Sequence, residues 1–249
     1  MSISGQGEIG KIVLFEDFCG PEVQYANAEA ATTPGHAIGP FKVVGDTVET
    51  DSGIEVIGKA SGYARFYGND EDGKGVGVAT EVSFSPELNG AIVVECRLEN
   101  YSAVTARNVF VGLAGTVADD IAEPVTCATT TITKVVPCIG FVLDSQLTAG
   151  TYWHMPYILA SDTTQTSTDV VSSQVAVAGE SDVLRLVVNP DGSAEWWING
   201  VLEQTVDAGL GATTSTLLGA MCAVFGTTTT AADIDVDYFL VKANRDWTR

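Results

Sequence analysis

A chain of 249 residues, 45% of them hydrophobic, is long and apolar enough for a substantial core, as one large β domain or two ordinary ones. Its 12 Lys and Arg stand against 32 Asp and Glu, a formal net charge of -20. Nucleic acids and anionic membranes bind through basic side chains, so neither is expected as a partner. No apolar run reaches the length of a transmembrane helix, and the opening MSISGQGEIGK lacks the apolar centre of a signal peptide, which predicts synthesis in the cytoplasm.

Taken in chain order, residues 1–10 are polar and Gly/Ser-rich and read as a short flexible N-terminal arm. Residues 11–249, without a linker or a break in composition, read as a single domain. Strand candidates are Lys11–Phe18, Phe41–Thr47, Gly53–Ile57, Ala64–Tyr67, Val76–Phe84, Ala91–Leu98, Asn108–Ala114, Cys138–Ser145, Tyr152–Leu159 and Val170–Val177. Asp182–Val206 then reads as three strands with two turns. Leu184, Leu186 and Val188 share one face, and Asn189-Pro190-Asp191-Gly192 supplies a turn with Gly192 free to take positive φ. Trp196 and Ile198 fall on the core face and Trp197 on the other, while Asn199-Gly200 is the signature of a type I′ hairpin. Leu217–Phe225 and Asp233–Val241 close the chain. In the last, Ile234, Val236, Tyr238 and Leu240 alternate with Asp233, Asp235 and Asp237, which predicts a core face and a solvated face. The fold class is all-β.

The five cysteines (Cys19, Cys96, Cys127, Cys138, Cys222) are odd in number and lack CxxC spacing, as expected of reduced and mostly buried thiols. A Cys127–Cys138 bridge across a hairpin is the alternative for that pair. His36 and His154 belong to no recognisable triad, and the chain has no GxSxG elbow, HExxH or phosphate loop. Enzyme activity is therefore not expected.

The run SAEWWINGVLEQTV, followed about thirty residues later by DIDVDYFLVKA, resembles the last strands of concanavalin A-like (laminin G-like) jelly rolls. The order of FEDFCGPEVQYAN, VETDSGIEV, NGAIVVECRLEN, FVGLAGT, CIGFVLDS, YWHMPY and KANRDWTR is similar to that of tailed-bacteriophage virion structural proteins. The resemblance implies a jelly-roll β-sandwich of two antiparallel sheets. It also implies a capsid decoration or cement protein that sits on the outside of the head and bridges major capsid protein subunits. The arm and the Thr-rich loops Thr129–Thr133 and Thr227–Thr230 would supply contacts, and a homo-oligomer, plausibly a trimer, would match local threefold points.

Two further readings stand beside it. A lectin-like glycan-binding module of a head fibre or tail would use exposed aromatics, for which Trp153, Tyr157 and Trp197 are candidates against their alternative as core or interface anchors. A glycoside hydrolase would need paired carboxylates about 5 Å apart. The Asp233, Asp235 and Asp237 triplet has the alternation but not the Glu pair of such enzymes, and reads instead as a solvated face that discourages edge pairing. Asn69-Asp70-Glu71-Asp72-Gly73 has the composition of a calcium loop, but an EF-hand frame places Gly68 and Ala79 at its first and twelfth positions. A looser calcium site on Asp70 and Asp72, alone or with Asp119 and Asp120, is the alternative to a plain acidic turn.

Overall fold

The computed structural model describes residues 10–20, 26–27, 37–45, 53–68, 72–99, 107–117, 123–157, 164–227 and 233–245. Most of the expected arm (residues 1–10), His36, Asp70, Asp119, Asp120 and most of the loop Thr227–Thr230 lie outside them.

The strands, in chain order, are β1 (Lys11–Glu16), β2 (Ala26–Asn27), β3 (Ala37–Ile38), β4 (Phe41–Gly45), β5 (Gly53–Ile57), β6 (Tyr63–Tyr67) and β7 (Gly75–Ala79). After a short helix α1 (Pro86–Asn89) come β8 (Ile92–Glu99), β9 (Arg107–Ala114), β10 (Val125–Ala128), β11 (Thr131–Lys134), β12 (Cys138–Asp144), β13 (Tyr152–His154) and β14 (Thr164–Thr166). The chain ends with β15 (Val171–Val175), β16 (Ser181–Val188), β17 (Ala194–Ile198), β18 (Val201–Val206), β19 (Gly219–Gly226) and β20 (Asp233–Asn244).

Two antiparallel sheets form the sandwich. One runs β18-β17-β16-β8-β20-β6-β5-β2, with β1 also paired to β20; the other runs β15-β13-β12-β9-β19-β7-β4-β3. This is the jelly-roll sandwich expected. Phe41, Phe66, Phe141, Trp153, Trp196 and Phe239 are fully or almost fully buried in the core between the sheets. Two indoles tie the layers together through hydrogen bonds. Trp196 Nε1 donates to the Gly140 carbonyl at 2.8 Å, and Trp153 Nε1 to Asp182 Oδ2 at 2.9 Å. Both turns of the β16–β18 meander take the backbone their residues favour, with φ of 79° at Gly192, 52° at Asn199 and 80° at Gly200.

A third, three-stranded sheet, β10-β11-β14, covers the outer face of the eight-stranded sheet. Beneath it Val125, Cys127 and Ile132 join Val44, Phe110, Val142, Met221 and Phe225 in a second apolar core. The expected contact loop Thr129–Thr133 is therefore corrected: Thr131–Lys134 is a strand, and Thr129, at φ 53°, begins its hairpin turn. Cys127 and Cys138 are buried free thiols, not a bridge, as are Cys96 and Cys222; Cys19 is free and exposed.

The expected solvated aspartate face is also corrected. Asp235 has no exposed surface and Asp237 is almost fully buried. The register of β20 against β8 shifts between Val236 and Tyr238, leaving Asp237 as an extra residue, a β-bulge that reverses the alternation. Ile234 and Val236 face the core before it, Phe239 and Val241 after it, and Tyr238 and Leu240 turn outward. Asp235 accepts from Lys59 Nζ at 2.6 Å and Arg65 Nε at 2.9 Å, and Asp237 pairs with Arg97. Removing one partner of such a buried network strands the others. Asp235→Ala is expected to lower unfolding free energy by roughly 3 kcal/mol, measured by urea denaturation, with Asp235→Asn costing less.

Candidate functional site

The outer face of the nine-stranded sheet carries an open pocket of about 390 Å³ lined by Glu95, Val183, Arg185, Val187, Glu195, Trp197 and Gly200. Alternation along β17 produces it: Trp196 is buried, so its neighbour Trp197 must face out, half-buried beside its cross-strand partner Arg185. Trp197 Nε1 donates to Glu195 Oε2 at 3.1 Å. Arg185 Nη1 lies 3.7 Å from Glu95 Oε2, and the Tyr238 hydroxyl donates to Glu95 Oε1 at 2.8 Å. Burial, and then the hydrogen bond to Glu95, push the Tyr238 hydroxyl well above its ordinary pKa, so it stays a donor. The result is one aromatic ring rimmed by two carboxylates and a guanidinium. That arrangement suits an apolar ring face with polar edges, whether of a sugar or of a protein side chain.

Glu95 and Glu195 share this pocket but belong to β8 and β17, with β16 between them. Two strand spacings place their backbones roughly 10 Å apart. Each is also already engaged, Glu95 with Arg185 and Tyr238, Glu195 with Trp197.

The other aromatic candidates fall elsewhere. Trp153 is corrected as a ligand residue: it has no exposed surface and its indole is bound to Asp182. Tyr157 packs partly buried at the margin of both cores, its ring 6.1 Å from that of Trp196, and its carbonyl accepts from Lys134 Nζ at 2.7 Å. His154 is fully buried between the carbonyls of Ser167 (3.1 Å) and Ala149 (3.2 Å), and burial lowers its pKa, so it serves the fold as a neutral ring.

A second polar site lies on the opposite layer and was not legible in the sequence. Asn108 and Asp144 are cross-strand partners on the outer face of β9 and β12, and both are buried. Glu123, just before β10, comes down over them: Asn108 Nδ2 donates to Glu123 Oε2 and to the Val125 carbonyl, both at 3.1 Å. Asp144 Oδ1 accepts the Gln146 amide at 2.7 Å. Burial, reinforced by the charges of Asp144 and Asp72, pushes the Glu123 carboxyl up to about 8. Burial also pushes Asp144 up to about 6, against the Gln146 hydrogen bond and the polar Cys127 thiol and Asn108 amide nearby, neither of which closes to bonding distance. Of the two loop aspartates considered for a looser calcium site, Asp72 is exposed and acts electrostatically on this cluster, while Asp70 lies outside the described residues. Among the described residues no group of three His, Cys, Asp or Glu side chains is placed to hold a metal unaided.

The folded state binds these two protons more tightly than the unfolded chain does. Their contribution to stability is complete below the ordinary carboxylate range and is lost as pH rises through about 6 and then about 8. With a chelator present, the melting temperature is expected to fall by at least about 3 °C between pH 5 and pH 8.5. Scanning calorimetry should show a flatter profile in Glu123→Gln.

No family model matches the chain, and no curated protein matches it. Solved structures do match, at low identity. A protein of unknown function from Shewanella oneidensis MR-1 has a TM-score of 0.59 at 12% identity, covering 96% of this chain and 89% of its own. The Emp46p carbohydrate recognition domain has a TM-score of 0.54 at 9% identity, covering 89% and 96%. The alginate lyase Aly36B, solved with alginate trisaccharide, has a TM-score of 0.54 at 12% identity, covering 95% and 98%. The chain thus has a concanavalin A-like, lectin-like jelly-roll fold, and an architecture shared by a lectin domain and a lyase assigns neither activity.

Proposed function

We propose that this chain is a non-catalytic virion structural protein, a decoration or cement protein bound to the outer surface of a phage head. Its partners would be the major capsid protein and further copies of itself, plausibly as a trimer. The observation that carries this reading is the second core. The outer face of the eight-stranded sheet is filled by the chain's own three-stranded sheet. What remains outward is a scaffold with an apolar margin. Val175 and Val177 at the β15 edge, and Val201 and Leu202 on the edge strand β18, are each more than two-fifths exposed. The two edges are joined by Glu203, which accepts from Ser173 N at 2.6 Å and from Gln174 Nε2 at 2.8 Å. An apolar strip along adjacent edges, on a chain whose charge keeps free copies apart, fits a protein contact made on assembly. Capsids lacking this protein are expected to lose resistance to heat and osmotic shock. Equal resistance of decorated and bare capsids would refute the cementing role.

The Trp197 pocket supports a second reading, a glycan-binding module on a head fibre or tail, because its outward-facing, half-buried ring is rimmed by hydrogen-bonding carboxylates and a guanidinium. On a glycan array this reading predicts binding that Trp197→Ala weakens at least tenfold, about 1.4 kcal/mol. A blank array leaves the decoration role alone.

A further inference from the structure

The cluster under the three-stranded sheet is incomplete in a specific way. Two of its oxygens, Asn108 Oδ1 and Asp144 Oδ2, are buried and accept no hydrogen bond from any protein group. Both belong to side chains with almost no exposed surface. A buried acceptor without a partner costs free energy unless something outside the chain satisfies it. Flipping the Asn108 amide does not help, because its Nδ2 already donates twice, to Glu123 and to the Val125 carbonyl.

The surroundings specify the missing partner's charge. Glu123 lies on the same amide, and its other oxygen points toward the loop at Gly73, where an added Cβ would come within 3.9 Å of Oε1. Asp72, next to that glycine, adds negative potential from the mouth. The nearby Lys134 is engaged with the Tyr157 carbonyl at 2.7 Å. A water could cap the two orphaned oxygens, but a cation would also answer the carboxyls gathered around them.

We propose that Asn108 Oδ1, Asp144 Oδ2 and the Glu123 carboxylate are protein ligands of a hard divalent cation, calcium in preference to magnesium, that fastens the three-stranded cover to the eight-stranded sheet. Two carboxylates and an amide oxygen form an all-oxygen donor set, and water would complete the six to eight ligands calcium takes. Magnesium demands a stricter octahedron and gives up its water reluctantly, which a site of three side chains from three separate segments serves less well. With so few protein ligands the affinity belongs to the weak class, a Kd of about 10⁻⁴–10⁻³ M. The cation would join β9 and β12, through Asn108 and Asp144, to the segment leading into β10, through Glu123. It would act as a clasp on the fold, independent of whether the outer surface meets a capsid or a glycan.

The test uses the full chain, stripped with EDTA and exchanged into buffer at pH 7.5. Calorimetric titration with CaCl₂ should give one site per chain, and 10 mM calcium should raise the melting temperature by about 3 °C or more, with a smaller shift for MgCl₂. Asp144→Asn and Glu123→Gln keep the shape and remove charge. In EDTA each should melt at or above the wild-type temperature, which shows it is folded, and each should lose at least tenfold in calcium affinity. No heat and no thermal shift with wild-type protein up to 10 mM of either salt would overturn the proposal and leave water as the partner. A calcium response that survives both substitutions would overturn the assignment to this cluster.

Discussion

β19 (GAMCAVFG) has no exposed residue: Ala220, Cys222 and Val224 turn to the core between the sheets, and Met221, Ala223 and Phe225 to the other side. β7, paired with it, and β12, on the far side of β9, are buried throughout as well. A sheet apolar on both faces cannot leave one in water, so the chain must supply a cover on each side. The nine-stranded sheet is one cover and β10-β11-β14 the other. Glycines at the crossing points let the backbones approach. At Gly77 a Cβ would fall 2.3 Å from the Cys222 carbonyl oxygen, and at Gly112 2.3 Å from that of Ile139. The outside of the nine-stranded sheet is not covered in this way, and the Trp197 pocket lies there.

How much of this was legible follows from the range over which each pattern acts. The meander was readable because its signals are local: alternating residues and Asn199-Gly200 determine pairing within 25 residues. The last strand was read correctly as a strand but with half its faces reversed. One extra residue at Asp237 shifts a period-two pattern without breaking it, and apolar residues occupy both phases of YFLV. Tyr238 and Leu240 satisfied the count and still turned outward. β10 and β11 escaped notice because TCATTTITK is short and Thr-rich, and its buried residues are recognisable only once a partner surface exists.

The sites divide the same way. Trp197 was placed outward correctly, since its orientation follows from Trp196 next to it. For Trp153 the ligand and core readings could not be separated, because the partner of its buried indole is Asp182, 29 residues away on the opposite sheet. Asn108, Glu123 and Asp144 carry no motif in sequence: one opens an apolar strand, one precedes a proline and one closes a strand. Only the register of β9 on β12 and the descent of the cover bring them together.

The two layers handle buried acid in opposite ways, and the chain's scarcity of base explains the difference. On the nine-stranded sheet Lys59 and Arg65 meet Asp235, Arg97 meets Asp237, and Arg185 meets Glu95. These are four of only 12 basic residues in the whole chain. Lys42 is held by Glu81 and Lys134 by a carbonyl. Carboxyls buried beneath the cover therefore remain protonated into the neutral range, as the raised values of Glu123 and Asp144 describe, or recruit positive charge from solution. Below pH 6 the first alternative is favourable and the cover closes over neutral acids. Above about pH 8 ionisation of both would push the cover away from the sheet, and an external cation becomes the means of keeping the second core shut.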